Sequence, residues 1–283
     1  MGNLWVIFVL IYSLLKGSRE AMKKMAVKKS SSTEILFFYT LIGFIITIPF
    51  SQNAFALKPL FIFFAFIKAL AVCTAWYLGL TAINKMSVSL YGIMDLSRMI
   101  FSTTFGVFLL GEPFTWQKGI GIILVLTGLM LVNLKKDTVS KGVTLPILMA
   151  ALGNCLFNAI SGTMDKVLMR YMESSQLQFW FMLFSVVIFG TLILIKREKI
   201  SIKCLKTNYW IPIMSISLIL GDKLLFEANA DPQSQVTIMT IIKQSSVIIT
   251  VLSGWLIFKE KNILYKAFCA AVVLVGILIP ILL

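Results

Sequence analysis

The sequence predicts an all-α membrane protein with ten transmembrane helices, arranged as two inverted five-helix repeats around a central cavity. Three observations lead to this fold class: an apolar composition, a series of apolar runs of helical length, and an internal repeat. Of the 283 residues, 59% are hydrophobic and only 13% are charged, with a mean hydropathy of +0.93. A soluble domain is nearer half apolar and a quarter charged. Because a spanning helix needs about 20 mostly apolar residues, the chain has room for roughly ten spans with short loops and no water-soluble catalytic domain.

The apolar runs have the length of transmembrane helices. Strands of a membrane barrel would be about ten residues long with strict alternation, and these runs are longer and continuous. Short polar segments such as 30–33, 51–53 and 231–234 separate them, and the longest connection, 196–208, is basic enough to lie along the membrane surface. The ten predicted spans are residues 4–24, 34–50, 60–83, 88–110, 116–134, 145–169, 179–195, 209–229, 236–258 and 263–283.

The stretch from Val88 to Leu134 has a second copy near the other end of the chain. A shift of 148 residues carries Gly106 onto Gly254, Glu112 onto Glu260, Lys118 onto Lys266, Gly128 onto Gly276 and Asp95 onto Lys243. The repeats divide near residue 140, into residues 1–139 and 140–283. With five spans each, an odd number, the second repeat must cross the membrane in the opposite direction. Inverted repeats are typical of secondary transporters, whose substrate site lies near the middle of the bilayer between the repeats.

Several loose motifs follow one another in a specific order. They are Trp76-Tyr77-Leu78-Gly79-Leu80, Ser87-Val88-Ser89-Leu90, Leu109-Leu110-Gly111-Glu112-Pro113, Gly119-Ile120-Gly121, Thr127-Gly128, Ile257-Phe258-Lys259-Glu260-Lys261 and Val275-Gly276-Ile277. With these motifs the sequence resembles, over essentially its full length, the drug/metabolite transporter superfamily in its two-repeat EamA-like branch. The resemblance implies a ten-helix transporter of the cytoplasmic (inner) membrane.

The sequence departs from that family at three places. Many members have a proline midway along the fourth and ninth spans, where this chain has Arg98-Met99 and Ser246-Val247. A tryptophan-glycine pair common in the first span is replaced by Leu15-Lys16-Gly17. These differences leave the fold in place and the substrate open.

Basic residues are distributed unevenly between the two sets of loops. The loops after the odd-numbered spans hold sixteen lysines and arginines, and the other side holds about four. The positive-inside rule therefore places both termini outside the cell. The resemblance implies the opposite orientation, because bacterial relatives more usually keep both termini in the cytoplasm. We favour the charge distribution because the bias is large. The basic residues cluster between apolar runs, where lipid headgroups lie. The net charge of +14 therefore indicates a bilayer with anionic headgroups as partner, and no nucleic acid.

Charged residues within the spans are candidates for a substrate site, because a charge deep in a bilayer is costly and usually faces a cavity or another charge. In the fourth span Tyr91, Asp95, Arg98 and Ser102 share one helix face. We expect this stripe to line the cavity; the alternative is that Asp95 and Arg98, three residues apart, only neutralise one another.

The ninth span repeats the pattern with Lys243 and Gln244. Because Asp95 and Lys243 are equivalent in the two repeats, we expect them to form a salt bridge across the site or to contact one zwitterionic ligand together.

Other spans add further candidates. In the eighth span Lys223 and Glu227 are four residues apart and can satisfy each other, which leaves Asp222 for a ligand or a proton. Lys68 lies alone in the third span, either in the cavity or extended toward the headgroups. Trp76 is a candidate aromatic wall or a packing residue. The first and sixth spans contribute a further group of polar and charged positions: Lys16, Arg19 and Glu20, and Asn154, Asn158, Ser161 and Asp165.

Glu112 and Glu260 follow the fourth and ninth spans beside turn residues. Their expected role is to anchor a short loop and to cap the next helix. The glycine-rich runs after them permit close contact between helices.

These observations predict a secondary active transporter for a small charged or zwitterionic metabolite of the amino acid or amine type, working by alternating access. Proton coupling through Asp95, Asp222, Glu227 or Glu20 is a hypothesis. An anionic phosphorylated or nucleotide-linked metabolite is the alternative substrate, with Arg98, Lys243, Lys223 and Lys68 as a phosphate clamp. A membrane-embedded enzyme acting on a lipid-linked substrate is the alternative outside transport, and the absence of histidine argues against it. We expect no cofactor or metal, a small polar solute as partner, and a monomer or homodimer.

Overall fold

The computed structural model describes residues 4–134, 143–198 and 200–282, and within them it is helical without β-strands. The helices are α1 (Leu4–Ala26), α2 (Ser32–Thr47), α3 (Pro59–Lys85), α4 (Val88–Asp95), α5 (Arg98–Leu110), α6 (Trp116–Leu134), α7 (Leu145–Leu168), α8 (Ser174–Lys196), α9 (Lys203–Thr207), α10 (Trp210–Ala230), α11 (Val236–Gln244), α12 (Ser246–Leu256) and α13 (Ile263–Leu282), with 3-10 turns at Ile48–Phe50 and Ala54–Ala56. Each predicted span falls on one of these helices or on two consecutive ones, so the all-helical prediction is confirmed. The predicted boundary near residue 140 lies outside the described residues.

Six segments of the described chain are long and apolar enough to cross a membrane: Ser32–Phe50, Pro59–Lys85, Val88–Leu110, Leu145–Leu168, Ser174–Lys196 and Val236–Leu256. Two further helices, α1 and α10, are comparably long, but charged residues interrupt their apolar runs. The chain is therefore a multi-pass membrane protein. Four of these charged side chains are buried where the two helices pack together: Lys16, Arg19 and Glu20 of α1, and Asp222 of α10.

The fourth and ninth predicted spans are interrupted in the middle, whereas the sequence predicted continuous helices. The Ser97 amide donates to the Met94 carbonyl and the Ser245 amide to the Ile242 carbonyl, both at 3.1 Å, in place of the regular bond one residue further back. The hydroxyls of Ser97 and Ser245 donate to the same two carbonyls at 2.8 Å. A serine hydroxyl that competes for a backbone carbonyl bends a helix, so these kinks need no proline. Both serines occupy the same position in the two repeats.

The helices of the two halves make matching contacts. In chain order, α1, α2, α3, α4–α5 and α6 of the first half correspond to α7, α8, α10, α11–α12 and α13 of the second. The pairs α3–α7 and α10–α1 are equivalent under this correspondence, as are α5–α7 and α12–α1, and α12–α4 and α5–α11. The pairs α2–α8 and α6–α13 are each their own equivalent. The interrupted helices thus pack with each half of one against the opposite half of the other.

Connections meet at the two ends of the bundle in distinct groups. At one end Lys24 Nζ donates to the Ile83 carbonyl at 2.6 Å and Asn208 Nδ2 to the Ala26 carbonyl at 3.0 Å, so the connections 27–31 and 86–87 lie together with residues 200–209. We call this the basic end. At the opposite end Gln176 Nε2 donates to the Asn53 carbonyl at 2.9 Å, and Lys166 Nζ to the Asp231 carbonyl at 2.7 Å.

Candidate functional site

A cavity lies between the two halves and is lined by side chains of both. The helices α1, α2, α3, α7, α8 and α10 surround it, and the interrupted helices contribute Tyr91, Arg98 and Lys243 near their kinks. Small-molecule sites are usually apolar with a few polar groups. This cavity instead holds many charges, which are the basic residues Lys16, Arg19, Lys23, Lys68, Arg98 and Lys243 and the acidic residues Glu20, Asp165 and Asp222. Its lining therefore suits a charged or strongly polar solute.

Asp95 lies behind this lining and holds two of its cations. Lys16 Nζ is 2.7 Å from Asp95 Oδ2, and Arg98 Nη2 is 2.7 Å from Asp95 Oδ1. Gln244 Nε2 donates to the Asp95 carbonyl at 3.0 Å, which joins the kinks of the two repeats. The expectation that Asp95 pairs with Lys243 is wrong, because Lys16 of α1 and the neighbouring Arg98 occupy both carboxylate oxygens. Asp95 and Gln244 thus support the lining from behind.

Two more ion pairs involve cavity residues. Lys68 Nζ is 3.2 Å from Asp165 Oδ1, and both side chains are almost fully buried. Lys68 therefore lies in the cavity and does not extend to the headgroups. Lys23 Nζ is 2.9 Å from Glu20 Oε1, one turn from the end of α1, and Lys23 is partly exposed there. Lys23 therefore lies at the rim of the cavity, on the side of the basic end.

Three buried charges in the cavity have no ion-pair or hydrogen-bond partner within the described part of the chain: Arg19, Lys243 and Asp222. Their exposed fractions are 4%, 7% and 8%, so bulk water does not satisfy them fully. The guanidinium carbon of Arg19 lies 5.5 Å from the centre of the Tyr12 ring. An unpaired buried charge is unfavourable unless a ligand or water completes it. These three residues are the strongest candidates for direct contact with a solute.

Tyr91, Trp76 and Asn158 line the cavity, as their positions predicted. The Trp76 ring lies edge-on to Tyr39 and to Phe181, with ring centres 5.3 Å and 5.8 Å apart. Asn158 Nδ2 donates to Asn154 Oδ1 at 2.8 Å, along the predicted polar face of α7. These residues give the cavity an aromatic side and an amide side.

Lys223 and Glu227 do not line the cavity, and they do not pair with each other. Lys223 is exposed, with Nζ 5.5 Å from the centre of the Phe50 ring, and Glu227 accepts a hydrogen bond from Ser174 Oγ. The reason is helical geometry. Successive residues of a helix point about 100° apart, so Asp222 facing inward turns Lys223 and Glu227 away from the cavity.

The sequence prediction gave too little weight to α1. Lys16, Arg19, Glu20 and Lys23 all line the cavity. Their offsets of three, four and seven residues place them on one helix face, which is the pattern that identified the stripe of the fourth span. Lys16, Arg19 and Glu20 were named as candidates from the sequence, but without this test, which adds Lys23 and places all four on one face.

Glu112 and Glu260 cap helices of the opposite repeat. The Val236 amide donates to Glu112 Oε1 and the Val88 amide to Glu260 Oε1, both at 2.7 Å. Each glutamate caps a helix, as the sequence led us to expect, but the helix expected was the next one in the chain. Instead Glu112 caps α11 and Glu260 caps α4. A Cβ at Gly106 would come within 2.7 Å of Glu112 Oε2, and one at Gly254 within 3.0 Å of Glu260 Oε2, so both folded-back glutamates need glycine beneath them.

The comparisons with known proteins agree with this architecture. One solved crystal structure of a protein aligns with a TM-score of 0.71 at 11% sequence identity, covering 98% of this chain and 94% of its own, which shows a shared fold. No curated protein matches the sequence. The sequence matches the family described as "EamA-like transporter family" twice, over residues 3–134 and 145–282. The chain therefore belongs to the EamA-like transporter family, within the drug/metabolite transporter superfamily, and its membership indicates a membrane transporter.

Proposed function

We propose that the protein is a secondary active transporter that moves a small charged or zwitterionic metabolite, of the amino acid or amine type, across the cytoplasmic membrane by alternating access. One observation carries the choice of substrate class: Arg19, Lys243 and Asp222 are unpaired in one buried cavity, within the described residues. The unpaired charges have both signs. A solute with a carboxylate and an ammonium group would satisfy them through charge-assisted hydrogen bonds.

The proposal includes ten spans in two inverted repeats. Its support is that every major helix contact has an equivalent when the halves are exchanged. Further support comes from the loops. The helix equivalent to α1 is α7, but the loop after α1 contacts the loop after α8. Because α7 and α8 are consecutive, the loops after them lie at opposite ends of the bundle, which is the arrangement that inverted repeats require. The two kinked helices meet at the cavity, so a change in the kinks would open one end while closing the other.

An anionic phosphorylated metabolite is the second candidate, because basic residues outnumber acidic ones in the lining by six to three. The two candidates differ in what they require of Asp222. A zwitterion needs its negative charge, whereas a phosphate is repelled by it.

We expect Asp222→Asn to weaken binding of the transported zwitterion about ten- to a hundredfold, the cost of a lost hydrogen bond to a charged group. The measurement is uptake into proteoliposomes and thermal-shift binding, over a panel of amino acids, amines and sugar phosphates. Glu227→Gln is the matched control, because it removes a carboxylate from the same helix outside the cavity. Tighter binding of a phosphorylated solute by Asp222→Asn, with no response to amino acids, would establish the second candidate.

Of the four acidic residues that are candidates for proton coupling, this proposal retains Asp222 as the proton carrier. A proton on Asp95 would break two ion pairs, Glu20 is paired with Lys23, and Glu227 lies outside the cavity. Asp222→Asn should therefore abolish the dependence of uptake on the pH gradient, while exchange of labelled for unlabelled substrate continues. Glu20→Gln and Glu227→Gln should keep the dependence. A gradient response that survives in Asp222→Asn would exclude this residue as the proton carrier.

We propose that the basic end faces the cytoplasm, with both termini outside, because the lysines of the loops lie there. Labelling single cysteines at exposed Lys28 and at exposed Phe55 with a membrane-impermeant reagent tests this orientation. In intact cells the reagent should label a cysteine at residue 55 and not one at residue 28. Labelling at residue 28 would show that the basic end faces outward and that the proposed orientation is wrong.

A further inference from the structure

Lys68 occupies a small compartment of the cavity built from two phenyl rings and a carboxylate. Its Nζ lies 3.8 Å from the centre of the Phe181 ring, 5.3 Å from that of Phe226, and 3.2 Å from Asp165 Oδ1. The three side chains Phe181, Phe226 and Asp165 are called the ammonium box below. Lys68 is only 2% exposed.

The box has the chemistry that recognises an ammonium group. The face of an aromatic ring attracts a cation, and the attraction grows when the cation is removed from water. A carboxylate beside the rings supplies the opposite charge. Quaternary and primary amines are bound by such combinations of rings and acids. The box would therefore bind a free ammonium group as well as that of a lysine.

Lys68 is held less firmly in the box than Lys16 is held at Asp95. Lys16 donates a hydrogen bond of 2.7 Å to Asp95, whereas the contact between Lys68 and Asp165 is 3.2 Å. Asp165 Oδ1 accepts no hydrogen bond of good geometry within the described residues. The lysine is thus retained by charge and ring contacts, which a competing cation can also make.

A second acceptor for Lys68 lies in the same cavity. Asp222 lines the same cavity as Lys68 and forms no ion pair within the described residues. A lysine has a flexible four-carbon chain. Lys68 can therefore leave the box and pair with Asp222 without becoming an isolated buried charge.

We propose that Lys68 acts as a tethered occupant of the solute's ammonium subsite. An incoming primary or quaternary ammonium group takes the box, and Lys68 moves to Asp222. The inference rests on the proposed function and makes it more specific: the solute's ammonium group enters the box, Asp222 receives the displaced Lys68 and so supports the solute indirectly, and Arg19 and Lys243 remain for the anionic group. No covalent step is involved.

Chemical rescue of a Lys68→Gln variant tests the proposal. Ethylammonium and tetramethylammonium should raise the melting temperature of the detergent-purified variant saturably, by about 5 °C near saturation, because they fill the emptied box. The wild type should need at least about tenfold more amine, since its own lysine competes. Adding Phe181→Leu to Lys68→Gln should remove the rescue.

Lys243→Gln is the matched control, because it also removes a buried cavity lysine, but one that contacts no aromatic ring in the part of the chain that the structure describes. A Lys68→Gln protein that responds to amines no more than Lys243→Gln would overturn the proposal. If Lys68→Gln does not fold, Phe181→Leu alone decides. The affinity for the zwitterionic solute should then fall about tenfold, with no change for a carboxylate analogue lacking the amine, and an equal loss for both solutes would refute the box.

This experiment separates the inference from the proposed function. Rescue measures occupancy of the box and requires no flux. Rescue by amines without transport in proteoliposomes would refute the proposed transporter function and support the ammonium box. Transport without rescue would support the transporter function and refute the ammonium box.

Discussion

Asp95→Asn should lower the stability of the folded protein by about 3–5 kcal/mol, the usual loss when one member of a buried ion pair is removed. Asp95 is 7% exposed and contacts Lys16 and Arg98 at 2.7 Å each. An asparagine has nearly the same shape and still accepts a hydrogen bond, but it leaves two cations buried side by side. The measurement is denaturant unfolding in detergent micelles, with the melting temperature as a second readout.

A double-mutant cycle shows whether the loss comes from the ion pair. Lys16→Met removes one of the two cations, so the double variant Asp95→Asn/Lys16→Met should lose less stability than the sum of the single variants. Ser18→Ala is a suitable neutral control. Ser18 lies on α1, as Lys16 does, but it is more exposed than Lys16, and its hydroxyl donates to the Leu14 carbonyl of the same helix. Additive losses in the cycle, or a loss below about 1 kcal/mol for Asp95→Asn, would show that the Lys16–Asp95 pair does not hold α1 against α4.

The helices were predictable because their signals are local. An apolar run such as 60–83 must form its backbone hydrogen bonds internally in lipid, so its length and position determine a helix. The kinks were less predictable, because proline is the usual signal and is missing here. Ser97 and Ser245 replace it through hydroxyl bonds to the carbonyls of Met94 and Ile242. Their equivalence in the two repeats was the available clue.

The site was predicted as far as one helix allows. Periodicity placed Tyr91 and Arg98 on a common face with Asp95, and they meet at the cavity as expected. It does not determine which charges pair across helices, because that depends on the rotation and depth of each helix in the bundle. Repeat symmetry suggested Lys243 for Asp95, but Lys16 approaches from α1, 79 residues away in sequence. Lys243 is therefore left in the cavity without an ion pair among the described residues.

The glutamate caps show the same limit. A carboxylate after a helix usually satisfies nearby amides, so the next helix was the reasonable expectation. The packing of α12 against α4 brings the amino terminus of α4 close to Glu260. The unsatisfied amides of that terminus attract the carboxylate. Only the arrangement of the two repeats together specifies this exchange.

Glu260→Ala should be the second strongly destabilising change, again by about 3–5 kcal/mol. Lys266 Nζ lies 2.9 Å from Glu260 Oε2 with 4% of its side chain exposed, so the variant leaves a buried cation as well as two uncapped amides. Glu260→Gln keeps an acceptor for the Val88 amide and should lose less. Combining Glu260→Ala with Lys266→Met should recover part of the stability, since the isolated charge is removed.

Hydrogen exchange locates the effect and separates the two caps. Glu260→Ala should speed exchange of the Val88 and Ser89 amides at the start of α4, and Glu112→Ala should instead speed exchange at Val236 and Thr237. Each variant is the matched control of the other, because the two glutamates are equivalent in the repeats. Faster exchange in Glu260→Ala only at Ile263 and the following residues would mean that the carboxylate caps the next helix, and the crossed arrangement would then be wrong. Exchange that follows the crossed pattern would show that each repeat stabilises a half-helix of the other. A shift of one kinked helix would then act directly on the capped half-helix of its partner, at the end of the bundle where the two are in contact.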